Sequence, residues 1–277
     1  PGRLHALDGV SPDTVSPEIY THGHHDSVLR SHRWRTAENS AAYLLPHLTT
    51  GMSLLDVGCG PGTLTCDLAE RVAPGAVLGV DLSAEVVEEA RSTAERSTTN
   101  VAFKVVDFRQ LDGPFDVVHA HQVLQHVTDP VGALRRMAEL ARPGGGVVAV
   151  RDADYPAKIW YPASEPIDRW RELYLAVTTR NGAQAGAGRR LPAWARAAGL
   201  NDTSYTTTTW TFTGEDAVWW ADLWAERTVR SSFAEQAVTY GLATEAELAD
   251  LAAGWRAWAT DPDAVFLTVH GELIARV

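Results

Sequence analysis

LLDVGCGPG, residues 54–62, is the stretch that decides the fold. An apolar run (Met52, Leu54, Leu55) ends in Asp56, and Gly58, Gly60 and Gly62 follow at every second position. Thr63 then opens an amphipathic segment, TLTCDLAERV. The order is strand, glycine turn, helix. Glycines serve where a backbone bends sharply and where a ligand must lie against its amides. Past Gly62, a second apolar run (residues 76–80) ends in Asp81. An acid at the tip of the second strand of a βαβ unit is placed to accept hydrogen bonds from ribose hydroxyls. Together these features predict a nucleoside-like ligand.

The detail of the turn narrows that ligand. A dinucleotide fingerprint counted from Gly58 and Gly60 needs its third glycine at position 63, which is Thr63. A P-loop needs Gly-Lys-Ser/Thr, and no lysine lies near. D-x-G-x-G-x-G, with no cluster of cations for a pyrophosphate, suits a ligand carrying an ammonium and a carboxylate.

Further along, elements alternate. AEVVEEARSTAERS (84–97) has helical spacing, and VAFKVV (101–106) reads as a strand ending at Asp107. FDVVHA (115–120) is the next strand, PVGALRRMAELA (130–141) a helix, and VVAV (147–150) a fifth strand. Strands separated by helices of this length give right-handed crossovers and a parallel sheet covered on both faces, with ligands at the carboxyl ends of the strands. Asp56, Asp81, Asp107, His121 and Arg151 fall at such ends.

These residues resemble the signature of class I S-adenosylmethionine (SAM) methyltransferases. Within that class, HQVLQHVTDP (121–130) and RPGG (142–145) are similar to the ubiquinone/menaquinone-biosynthesis type. The specific match runs over roughly residues 45–152, and the flanks match an actinobacterial small-molecule branch. The resemblance implies a Rossmann-like, doubly wound α/β sheet of seven strands, mostly parallel with the last strand antiparallel. It implies SAM as cofactor and S-adenosylhomocysteine as product. It assigns the cofactor to Asp56, Gly58, Cys59, Gly60, Gly62, Asp81, Leu82, Asp107, Phe108, His121 and Gln122, with Tyr20 closing over the sulfonium. Phe108 departs from the small residue commoner after the acid.

The expected organisation is an N-terminal helical segment over the cofactor (1–48) and a SAM-binding core (49–154). A cap insertion (155–200) follows, then the last core strands (201–213 and 263–277), which flank a helical cap insertion (214–262). The N-terminal segment reads as one long helix through residue 45, and the second insertion as about three helices. The insertions hold eight of the ten tryptophans, counting Trp194. They fill a helical core or line a lid over an apolar acceptor cavity, with Tyr20, Trp160, Tyr161 and Trp220 as candidate acceptor contacts.

Composition bounds the partners. A net charge of −11 argues against a nucleic-acid substrate. The two cysteines, Cys59 and Cys66, fit a reducing compartment. No apolar run approaches membrane-spanning length and no signal peptide is legible, so a cytoplasmic location is expected. His22, His24, His25 and His32 have no carboxylate or cysteine at ligand spacing, and no metal is expected. An apolar aromatic cap favours self-association.

Methyl transfer from a sulfonium is an in-line displacement that requires alignment and exclusion of water more than acid–base machinery. The N/D-P-P-Y motif used on nucleobase amines is absent. A small hydrophobic acceptor remains, methylated on O, N or C. The resemblance leans towards C-methylation of a prenyl- or terpenoid-bearing molecule, indole-derived or otherwise, or of a quinone-like ring, in secondary metabolism and with cation-driven cyclisation as an extension. Trp and Tyr faces stabilise the cation formed when an alkene is methylated. Base candidates are His121, His126 and Asp152. A SAM-dependent cyclase that transfers no methyl and a non-catalytic SAM-fold protein are the readings from other classes.

Overall fold

The computed structural model describes Thr21 and residues 26–95 and 100–277. Tyr20, His22, His24 and His25 lie outside the described residues. Five parallel strands, β1 (Leu54–Val57), β2 (Val77–Asp81), β3 (Val101–Val105), β4 (Val117–His121) and β5 (Val147–Ala153), stand in the order 3-2-1-4-5. The chain changes its direction of travel at β1, so the carboxyl ends of β1 and β4 border a crevice there. Three more strands complete the sheet: β6 (Ile159–Tyr161), β7 (Thr203–Thr213) and β8 (Val265–Arg276). β8 runs antiparallel to β5, from Val147↔Arg276 to Ala153↔His270, and continues antiparallel beside β6. Its other edge takes β7, from Thr203↔Ala275 to Thr213↔Val265. The mostly parallel sheet with an antiparallel last strand is as expected. It has eight strands where seven were expected, because IWY, assigned to the cap, pairs with β8.

The fifth strand outruns its apolar stretch. Arg151 and Asp152 remain inside it because a charge can be buried in a strand when a partner stands opposite. Arg151 is in register with Glu272 and donates to its carboxylate at 2.9 Å.

Side chains alternate between the two faces of the sheet. Leu54, Val77 and Val117 point to one face, where they meet α2 (Ala37–Ser40) and α3 (Thr63–Val72) through residues that include Ala37, Leu64, Leu68 and Val72, and α1 (Asp26–Arg33) lies against α3. α4 (Ala84–Ala94) packs beside α3, while α5 (Pro130–Leu140) covers Leu55, Val118 and Val148 on the opposite face. The N-terminal segment is not one long helix. Thr36 caps a new start: its hydroxyl accepts from the Asn39 backbone N–H at 3.2 Å, and the Asn39 side-chain oxygen accepts from the Thr36 N–H at 2.9 Å. That reciprocal box stops α1 at Arg33 and turns Arg35 inward.

α6 (Glu165–Arg180) and α7 (Ala187–Ala198) go to different layers. α7 joins the face covered by α5, so Trp194 packs on the core sheet and not in the cap. α6 joins α8 (Gly214–Arg230), α9 (Ser232–Thr239) and α10 (Glu245–Trp258), the three helices between β7 and β8. Their shared core is tryptophan. Trp170 meets Trp224 edge-on at 4.5 Å between ring centres and Trp255 at 5.0 Å, and Trp220 stacks on Phe212 at 4.1 Å. Truncating such a ring costs about 3–5 kcal/mol, so this cluster anchors the cap to β7 and β8.

Candidate active site

The loop after β1 is held from below. The N–H groups of Gly58 and Cys59 donate to the Val80 carbonyl at 2.8 and 3.0 Å, and the Gly60 N–H donates to the Asp81 carboxylate at 3.2 Å. Gly58 has a φ of +68°, and a Cβ there would lie 2.5 Å from Val123. Gly62 caps α3 at φ +81°, where a Cβ would strike Ala90 and Phe103 at 2.9 Å. Side chains are excluded at both positions by backbone conformation and by space. Asp56 is buried, and its carboxylate is engaged by the Thr65 hydroxyl at 2.6 Å and by His119 Nδ1 at 2.7 Å. It therefore fixes the base of the loop.

Three voids meet along the carboxyl edge of the sheet. The first, about 1160 Å³ and open to solvent, is a cleft bounded by Gly58, Asp81, Leu82, Asp107, Phe108 and Gln122. The second, about 290 Å³, lies under the glycine loop and the start of α3, with Arg35 and His121 on its wall. The first turn of α3 directs unsatisfied N–H groups and a partial positive charge towards it. The third is a chamber of about 420 Å³ walled by Tyr155, Lys158, Trp210, Trp220, Trp224 and Arg227. Gly58 belongs to the first and second voids, His32 and Arg35 to the second and third, and Gln122 and His126 to the first and third.

Gln122 stands at the junction with φ +55°, a left-handed conformation that a non-glycine residue adopts at a cost of about 1–2 kcal/mol. Its N–H donates to the Arg151 carbonyl at 2.6 Å, its side-chain oxygen accepts from Arg35 at 2.8 Å, and its amide nitrogen lies 2.8 Å from His270 Nε2. Burial, with Arg151 beside it, holds His270 well below the ordinary imidazole range, so the uncharged ring accepts that amide N–H.

Residues 48–179 match the family model described as Methyltransferase domain. An uncharacterized methyltransferase of Schizosaccharomyces pombe is 29% identical over 268 residues, which span 92% of this chain and 95% of that one. The protein is an S-adenosylmethionine-dependent methyltransferase. A ubiquinone biosynthesis O-methyltransferase of Alkalilimnicola ehrlichii is 32% identical over 159 residues, 48% of this chain and 64% of that one. The cyclopropane synthase MmaA2 of Mycobacterium tuberculosis shares the fold at a TM-score of 0.53 and 17% identity, over 84% of this chain and 81% of that one.

The methyltransferase brings most of the expected cofactor residues to one place. Gly58, Asp81, Leu82, Asp107, Phe108 and Gln122 border the cleft, and Asp56, Cys59, Gly60 and His121 border the void under the loop. Gly62 borders neither and acts through packing against α4 and β3. The expected acceptor contacts divide. Trp220 walls the chamber, whereas Trp160 lies flat on Phe266 at 5.8 Å with Arg171 over its ring, and Tyr161 is 62% exposed. The three base candidates also separate. His126 faces the chamber, but burial pushes it down to about 3, which makes it a very weak base. His121 is buried without a hydrogen-bond partner among the described residues, and lies under the glycine loop. Asp152 is fully buried and raised to about 7 by burial; it accepts from the Gln125 N–H at 2.9 Å and borders none of the three voids.

Lys158, Arg35, Tyr155, Trp210, Trp224 and Arg227 were not singled out from the sequence as site residues. The signal for Lys158 was available: the chain has two lysines, Lys104 and Lys158, and otherwise uses arginine for its cations. Among the described residues, no helix is long and apolar enough to cross a membrane.

Proposed function

We propose that this methyltransferase moves the methyl of SAM to a carbon of a small, largely apolar acceptor held in the aromatic chamber. The acceptor class is a prenyl- or terpenoid-bearing molecule or a quinone-like ring. In this reading Leu82 and Phe108 flank the adenine, Asp107 takes its amino group, and Asp81 accepts from the ribose hydroxyls. The amides of the first turn of α3, with Arg35, hold the amino-acid end of the cofactor. The sulfonium then faces the junction at Gln122, where cleft and chamber meet.

One observation carries the reading: the chamber beyond Gln122 is walled by the rings of Tyr155, Trp210, Trp220 and Trp224. Such faces attract positive charge, each worth about 0.5–1 kcal/mol at exposed sites and about 2 kcal/mol when desolvated. A carbon nucleophile that takes a methyl without first losing a proton becomes cationic, and these ring faces, against the two guanidiniums on the same wall, favour that state over its neutral precursor. The test is to incubate the enzyme with carbon-13-methyl SAM and an organic-soluble metabolite extract, then to examine new products by mass spectrometry and NMR. A labelled methyl bonded to carbon supports the proposal. A label on oxygen or nitrogen overturns the C-methylation, and a rearranged product without label indicates a cyclase.

A further inference from the structure

Lys158 follows the short turn Tyr155–Ala157 that leaves the carboxyl edge of β5, and it is 3% exposed. Its partners among the described residues are ring faces. Nζ lies 3.6 Å from the ring centre of Tyr155, 4.8 Å from Trp224, 5.4 Å from Trp170, 5.9 Å from Phe266 and 6.0 Å from Trp220. No carboxylate pairs with it among those residues. A buried ammonium is ordinarily paired, and an unpaired one in apolar surroundings gives up its proton. Burial and the nearby Arg227 guanidinium accordingly push Lys158 well below the ordinary lysine range.

The other titratable groups facing this amine do not reverse that balance. Arg227 on α8 and Arg35 after α1 are cations; His126 and His270 are pushed down by burial and stay uncharged; Tyr155 is pushed up and keeps its proton; His32 completes the set. The wall thus has positive charge but no carboxylate among the described residues. A fixed ammonium added to Arg35 and Arg227 would repel both the sulfonium and any cation formed from the acceptor, whereas an uncharged amine would not.

We propose that Lys158 is the proton acceptor of the transfer: Nζ takes the proton that the acceptor sheds after it has received the methyl. This rests on the chamber being the acceptor site. In the step, a bond forms between the acceptor carbon and the methyl, and the methyl–sulfur bond breaks with its electron pair staying on sulfur, giving S-adenosylhomocysteine. A C–H bond of the resulting cation then breaks, its pair restores the π bond, and the proton passes to Nζ. One positive charge moves from sulfur through the acceptor to the ammonium, where five ring faces stabilise it. The proton leaves to solvent when the product departs.

Having two lysines makes the test direct. The enzyme is labelled with carbon-13 lysine, saturated with S-adenosylhomocysteine and titrated by NMR, with Lys104→Arg assigning the two signals. Lys158 should titrate clearly below the ordinary lysine value of about 10.4. Titration of Lys158 at or above that value overturns the proposal. Lys158→Met should bind S-adenosylhomocysteine within about twofold of the wild type. It should lose at least roughly 100-fold in methyl incorporation from carbon-14-methyl SAM into the organic-soluble extract, the usual worth of a general base. Lys158→Arg should not restore it. The wild-type rate should rise with pH through the midpoint measured for Lys158, and that limb should vanish in Lys158→Met. Full incorporation by Lys158→Met overturns the proposal even if a labelled C-methyl product forms. Failure of the wild type to bind S-adenosylhomocysteine defeats instead the assignment of the chamber and its cofactor.

Discussion

Arg35 donates to the side-chain oxygen of Gln122 at 2.8 Å, so a cation from the N-terminal segment steadies a left-handed residue at the tip of β4. Strain of this kind persists where the surroundings over-determine it, and it collects at working sites. Gln122→Gly relieves about 1–2 kcal/mol of backbone strain while deleting both side-chain hydrogen bonds. The expected outcome is a thermal midpoint within a few degrees of the wild type and methyl transfer at least roughly tenfold slower. Equal losses in both would make Gln122 a structural residue only.

Asp81 joins the glycine loop to the tip of β2 through the Gly60 and Ser83 N–H groups, at 3.2 and 3.0 Å. Asp81→Ala should weaken SAM binding by about 1.5–3 kcal/mol, the worth of hydrogen bonds to a charged group. Calorimetry with S-adenosylhomocysteine checks this. An unchanged affinity would remove Asp81 from the ribose.

The Arg151–Glu272 pair is buried at both ends and is supported by the Thr206 and Thr208 hydroxyls and the face of Trp210. Burial pulls Arg151 down to about 10, which leaves it charged at neutral pH. Glu272→Ala strands that charge and should cost about 3–5 kcal/mol in urea unfolding. The double replacement Arg151→Met with Glu272→Leu should recover most of the loss. If it does not, the pair is worth more than its apolar substitute.

Stability should fall in acid. His121, His126 and His270 are all held below their ordinary values by burial, so the unfolded chain binds more protons than the native one below about pH 6.5. Their contribution is present above that pH and is lost as the pH drops. Asp152, raised to about 7, works the opposite way: the native state holds an extra proton between about pH 4 and 7 and flattens the slope. In Asp152→Asn, unfolding free energy should climb more steeply from pH 4 to 6.5, by up to about 1.4 kcal/mol per pH unit. An unchanged slope would mean that Asp152 is ionised in the folded protein.

The cleft at the carboxyl edge of the sheet was legible in the sequence because it is local. Gly58 and Asp81 announce it within one βαβ unit, and Asp107 just past the next strand. The chamber was legible only at Trp220 and His126. The rest of its wall is assembled from Arg35, Lys158, Trp210, Trp224 and Thr268, residues contributed by separate segments that meet only after β7 and β8 have closed the sheet. The full length of β5 was hidden for a related reason. Arg151 and Asp152 look like the end of an apolar run until Glu272, far along the chain, is seen opposite. The N-terminal break was readable in principle, since Thr36 and Asn39 stand at capping spacing, but the surrounding helical periodicity masked it.

The register that sets Thr213 opposite Val265 has a modular side. The helices α8, α9 and α10 depart from the sheet and rejoin it at a single rung, like a headpiece clipped onto a chassis. Swapping that headpiece would recontour the chamber while β7 and β8 keep their alignment.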